Sequence, residues 1–172
     1  MSKPLATTIQ APYVRSIGVT SAQFIGTAMA ARQIAGIDNA GFYCAPFTFP
    51  DSAIPKNNAY VFITIQPAFV PIFTGQIIKL LLRTTITSVN LDINSFDQTF
   101  LWPIPDPFSS DIGYRILLDN GNGRTFNPLQ FKRDDFIGFQ IQRMGADPAD
   151  TLAQSVKIAE SLTFQINRRC CN

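Results

Sequence analysis

The residues with the most chemistry on offer are aspartates. Asp134-Asp135 stands before one apolar run, Asp147 to Asp150 before another, and Asp119 lies near Asn120 and Asn122. Oxygens at that density suit either a hard cation such as calcium or turns in which a carboxylate accepts from nearby backbone N–H groups. Calcium takes about six to eight oxygen ligands, and the 119–123 segment has neither the spacing nor the terminal bidentate glutamate of an EF-hand loop. Turn formation is the expectation. Glycoside hydrolysis needs two carboxyl groups set across the scissile bond. The aspartates and the one glutamate, Glu160, present no pair that stands out for it.

The histidine count is 0. That removes the commonest general base, the commonest neutral metal ligand and every triad that depends on imidazole. Cys44 stands alone and Cys170-Cys171 are adjacent, which fits neither a disulfide framework nor a zinc site. Vicinal cysteines are also badly placed to bridge each other. Reduced thiols are expected, two of them on a short basic tail over 167–172. No phosphate-cradling loop is present, because the glycines of 119–123 fall in an expected hairpin and not between a strand and a helix. No catalytic residue, metal or cofactor is therefore expected. A formal net charge of +2, with only the Arg168-Arg169 pair as a basic run, gives no field to gather phosphate backbones, so nucleic acid is not an expected partner.

What must position these residues is a single domain, since 172 residues support one ordinary core. Hydrophobic residues make up 46% and charged residues 15%, against a usual charged share of about 25%, so buried contacts with neighbours are expected. Phe 15 against Trp 1, with few strong helix formers and many Thr, Ile and Val, points to strands. No apolar run approaches the roughly 20 residues of a membrane span, and the start lacks a signal-peptide apolar region, so the expectation is a soluble product without a membrane partner.

Residues 1–40 read as an N-terminal arm, polar and Pro-containing, then rich in small residues. Phe24, Ala28 and Ala31 share a helical face that Gly26 and Gly36 interrupt, giving a short helix or an extended arm. Its apolar members, Tyr13, Phe24, Ile25, Met29 and Ile34, are candidates for holding neighbouring subunits. Residues 41–166 read as an antiparallel β-sandwich, with short apolar runs separated by Pro, Gly, Asn and Asp. Strands are expected over 42–49, 59–66, 75–87, 88–93, 95–102, 114–118, 136–143 and 155–166. The 59–66 strand is apolar on both faces and must be covered on both. Pro103, Pro105 and Pro107 forbid ladder donation and predict an exposed loop. Trp102 and Phe108 complete that candidate contact loop, with Trp102 either stacking on a sugar or capping the core.

Two stretches resemble a jelly-roll domain of tailed-phage structural proteins. The first is Phe47-Thr48-Phe49-Pro50-Asp51-Ser52-Ala53 leading to Ala59-Tyr60-Val61-Phe62 and then Ile77 to Leu82. The second runs from Asp135 to Arg143, through Gly145-Ala146-Asp147-Pro148-Ala149-Asp150-Thr151, to the closing strand ending at Ile166. The order Arg, Gly/Asp, Asp-Thr is its more specific part. The resemblance covers roughly 41–166 and departs from the family at Ile166, where a Tyr is usual, and in the Cys-containing tail. It implies no catalytic residues. It implies an all-β, jelly-roll-like protein on a virion, made in the host cytoplasm and assembling as a homotrimer on a major capsid protein or another virion protein. A head decoration or cement role follows first, and a receptor-binding fibre or tail head that recognises host glycans second. Read physically, Arg143, Asp147, Asp150 and Thr151 form a turn-stabilising motif, with Arg143 placed to clamp an aspartate of its own connection.

Overall fold

Alternating and doubly apolar runs become twelve strands, all paired antiparallel, in a computed structural model that describes residues 6–49, 58–68, 75–88, 93–105, 109, 111–126, 131–132 and 134–167. They are β1 (Ala6–Ile17), β2 (Ser21–Ile25), β3 (Met29–Ile34), β4 (Asn39–Cys44), β5 (Phe47–Thr48) and β6 (Ala59–Pro67). The chain continues as β7 (Ile77–Thr87), β8 (Ile93–Pro103), β9 (Tyr114–Leu117), β10 (Phe136–Met144), β11 (Val156–Ala159) and β12 (Ser161–Asn167). No helix occurs among the described residues.

The strands make the two sheets of a jelly-roll-like sandwich. In the first, β6 lies between β9 and the β11–β12 run, β3 pairs β11, β2 pairs β3, and the first half of β1 pairs β12. In the second the order is β1, β4, β10, β7, β8, with β5 continuing β4 alongside β10. β1 belongs to both. Its pairing passes from β12 to β4 near Tyr13, where the register shifts between Tyr13 and Arg15.

The residues that face inward are those whose alternation the sequence displays. Val61, Ile63 and Ile65 of β6, Ile78, Leu80 and Leu82 of β7, and Phe139 and Ile141 of β10 are all buried. Between the sheets sits an aromatic cluster of Phe47, Phe49, Phe126, Phe131, Phe139 and Phe164. Its rings pack edge-on and stacked at centroid distances from 4.9 Å for Phe126–Phe131 to 6.3 Å for Phe49–Phe164. Phenylalanine fills this space without a polar atom to satisfy, which explains its excess over Trp and Tyr.

Four expectations need correction. Residues 6–34 are not an arm or a helix but β1, β2 and β3, with Gly18 and Gly26 in left-handed turns between them. Ala11 is in the core and β1 lies between β12 and β4, so the domain does not begin at residue 41. Long-range pairing overrides the weak helical spacing. Asp119–Gly123 does not join two paired strands; Leu118 donates to Val61 and the chain returns to Ala59 at Thr125–Phe126, an excursion along one side of β6. The 155–166 run divides at Glu160, because its neighbour changes from β3 to β1 there. Finally, β8 extends through Pro103, an exposed position opposite Ile77. Of the expected 88–93 strand, 89–92 lie outside the described residues.

Candidate functional site

The densest polar construction in the molecule is the connection from β10 to β11. Arg143 ends β10 facing inward, wholly removed from solvent. Its Nε donates to Asp150 Oδ2 at 3.0 Å and its Nη2 to Asp150 Oδ1 at 2.8 Å, a bidentate pair. Nη1 donates to the Gln154 carbonyl at 2.7 Å, and Nη2 also donates to the Leu152 carbonyl. The Asp150 carboxylate in turn accepts from the backbone N–H of Lys79 at 3.1 Å and of Leu152 at 3.2 Å. Thr151 completes the attachment to β7: its hydroxyl accepts from Ile77 N–H at 2.8 Å, and its own N–H donates to the Ile77 carbonyl at 2.9 Å.

Asp147 shapes the turn itself. Its carboxylate accepts from Ala149 N–H at 2.9 Å and from the Lys79 ammonium at 2.6 Å. The Lys79 bond, then the Ala149 bond, hold the Asp147 carboxyl below the usual carboxylate range. The structure thus brings Arg143, Asp147, Asp150 and Thr151 together as a strap fastening the β10–β11 connection to the start of β7. Gly145 donates to the Asp38 carbonyl at 3.0 Å, which ties the same strap to the β3–β4 turn. With four of the five Arg143 N–H donors engaged and both side chains removed from solvent, the Arg143–Asp150 pair fastens the connection from within.

Two other acids are occupied similarly. Asp135, buried, accepts from Lys132 N–H at 2.7 Å and sets the entry to β10, and Asp119 accepts from Gly121 N–H at 2.9 Å. Among the described residues no group of three His, Cys, Asp or Glu is arranged for a metal. Cys44 is buried, and burial pushes its thiol up to about 12, so it stays protonated and is no nucleophile. Cys170 and Cys171 lie outside the described residues.

The two remaining groups of candidate residues are divided by the fold. Of the loop, Trp102 lies on β8, half-buried against the core, its ring centroid 6.2 Å from that of Tyr114. Pro103 ends the same strand and Pro105 is half-buried, while Pro107 and Phe108 lie outside the described residues. Of the arm residues, Ile25 and Ile34 are buried within their own chain, and Tyr13 is half-buried beneath the Arg32 guanidinium, 4.3 Å from its ring centroid. Phe24 and Met29 stay exposed on the β2–β3 hairpin.

One construction escapes sequence reasoning. On the outer face of the second sheet, Arg15, Tyr43, Gln140, Arg83 and Asp97 stand in one cross-strand row. The outward alternation of Gln140 and Gln142 signals a polar face, but registry among five strands is set only by folding.

No protein-family model matches the chain, and no curated protein matches it. Among solved structures the chain is similar to the CBM22-1 xylan-binding domain from Paenibacillus barcinonensis Xyn10C. The identity is 6% and the TM-score 0.44, over 98% of this chain and 100% of that one. It is also similar to a chain in the structure of infectious bursal disease virus, Gx strain, at 12% identity and a TM-score of 0.35, over 99% of this chain but 38% of that one.

Proposed function

We propose that the protein is a non-enzymatic virion structural protein, a capsid decoration or cement protein that assembles as a homotrimer on a major capsid protein or another virion protein. The observation that carries this reading is where apolar side chains remain exposed. Phe24 and Met29 stand out from the β2–β3 hairpin, and Val19 and Ile37 are 77% and 76% exposed in the turns before β2 and β4. In the same region β2 is the last strand of its sheet, with an edge no other described strand covers. Apolar groups beside an open strand edge favour burial against a neighbour. The low charged share and the resemblance carried by the Arg143 to Thr151 motif support the same reading.

Light scattering on the purified protein at several salt concentrations tests it. A species of three times the monomer mass, insensitive to salt, is expected, because apolar interfaces are not screened. Phe24→Glu with Met29→Glu should reduce it to monomer with an unchanged circular dichroism spectrum. A wild-type protein that stays monomeric at every concentration would overturn the assembly reading. Glycan recognition through the segment from Trp102 to Tyr114 is less well supported, since the Trp102 ring is engaged with Tyr114 and the core.

A further inference from the structure

The outer face of the second sheet carries a polar row held in register by strand pairing. Its polar row crosses all five strands, Arg15 of β1 opposite Tyr43 of β4, Tyr43 opposite Gln140 of β10, Gln140 opposite Arg83 of β7, and Arg83 opposite Asp97 of β8. At about 4.8 Å between strands the row is on the order of 19 Å long. Each member is held by a neighbour. The Arg15 guanidinium lies 4.9 Å from the Tyr43 ring centroid, and Gln140 Nε2 donates to Gln142 Oε1 at 3.0 Å. Arg83 donates from Nε and Nη2 to the two carboxylate oxygens of Asp97, each at 2.7 Å.

The adjacent row is nearly bare. Gly138 lies opposite Thr85, and Thr85 opposite Ser95, whose hydroxyl is 3.0 Å from that of Thr85. A Cβ placed on Gly138 would meet nothing within 4 Å. The missing side chain leaves a depression of about 280 Å³ whose walls include Tyr43, Pro46, Arg83, Thr85 and Gln140. Phe136, 48% exposed, stands two residues before Gly138 on the same face of β10. The exposed Tyr43 ring thus borders a glycine floor, with amide, hydroxyl and guanidinium groups beside it.

We propose that this depression binds a neutral saccharide, a function beyond the assembly role and independent of it. A sugar ring presents apolar C–H faces and hydroxyls that both donate and accept. The lining offers each, with Tyr43 for the faces, Gln140 and Thr85 for either sense of hydrogen bond, and Arg83, fixed by Asp97, as a donor. Arg83, the charged residue lining the depression, is offset by Asp97, and Arg15 at its margin lies against the Tyr43 ring. A peptide strand would pair at a sheet edge, whereas this floor is mid-sheet, between β7 on one side and β4 and β5 on the other. The groups are mounted on strands and cross-braced before any ligand arrives, which lowers the ordering cost of binding.

The test is isothermal titration of the whole protein with neutral tetrasaccharides of glucose, galactose, mannose and N-acetylglucosamine, with sialylated and sulfated counterparts alongside. At least one neutral tetrasaccharide is expected to bind, with an affinity unchanged from low to high salt. Tyr43→Ala should weaken that binding about tenfold. Gly138→Phe fills the depression with a residue suited to a strand, so it should abolish binding while the melting temperature holds or rises. Trp102→Ala should leave binding intact. Absence of binding to every neutral tetrasaccharide, binding to acidic ones only, or undiminished binding by a folded Gly138→Phe would each overturn the proposal.

Discussion

Arg143 stands where water does not reach, with four of its five N–H donors taken by Asp150 and two carbonyls. Breaking such a pair strands the surviving charge. Arg143→Ala or Asp150→Ala should each cost about 3–5 kcal/mol in chemical denaturation, and the double variant less than the sum of the two. Two more exposed carboxylates respond to acid. Asp97 is held below the usual carboxylate range by hydrogen bonds from Arg83, and Asp147 by those from Lys79 and Ala149. A depressed folded value means that each carboxylate contributes stability above its unfolded value of about 4, and loses it as pH falls through the folded one. Melting temperature should therefore hold steady above about pH 5 and decline below about pH 4. Asp147→Asn should flatten part of that decline.

At the scale of elements, the strap is possible because backbone passes backbone where side chains are absent. A Cβ on Gly36 would come within 2.0 Å of the Ala153 carbonyl oxygen, and one on Gly145 within 2.4 Å of the Gly36 carbonyl oxygen. Neither neighbour is a flexible side chain that can swing aside. Gly36→Ala should lower stability by about 1–3 kcal/mol in a denaturant titration, an effect of crowding and not of backbone angle. Legibility in the sequence follows the same division between local and distant causes. β6, β7 and β10 are readable because their apolar residues either alternate or run unbroken, and the inward set Val156, Ile158, Leu162, Phe164 and Ile166 keeps its parity even across the break at Glu160. β1 is not readable in this way. Thr7, Thr8 and Gln10 look like a solvated lead, and only Ala11 is fully buried along the strand. Its place is dictated by β12 and β4, elements remote in sequence. The Arg143 to Thr151 motif is legible because the partners of Arg143 are within eleven residues of it, while β7 adds its backbone and the Lys79 ammonium. The row from Arg15 to Asp97 is illegible because it draws one residue from each of five strands.

For the molecule as a whole, the decisive pairing is that of β1 with β12, Ala6 opposite Asn167 through Pro12 opposite Ser161. β12 also carries Leu162, Phe164 and Ile166 into the shared core. A chain ending at Glu160 should therefore give no cooperative thermal transition and no sheet-type circular dichroism, whereas trimming 168–172 should leave both intact. The same pairing imposes a schedule on biosynthesis. During synthesis β1 waits for β12, and at about 5–20 residues per second some 150 residues take roughly 8–30 s. Throughout that interval the first half of β1 is without its β12 partner, so the native pairing is reached only once residues 161–167 have emerged. The nascent domain stays open to chaperones and proteases until β12 emerges, and expression yield should respond more to codon changes that stall the ribosome just before the β12 codons than to those that stall it before the β2 codons.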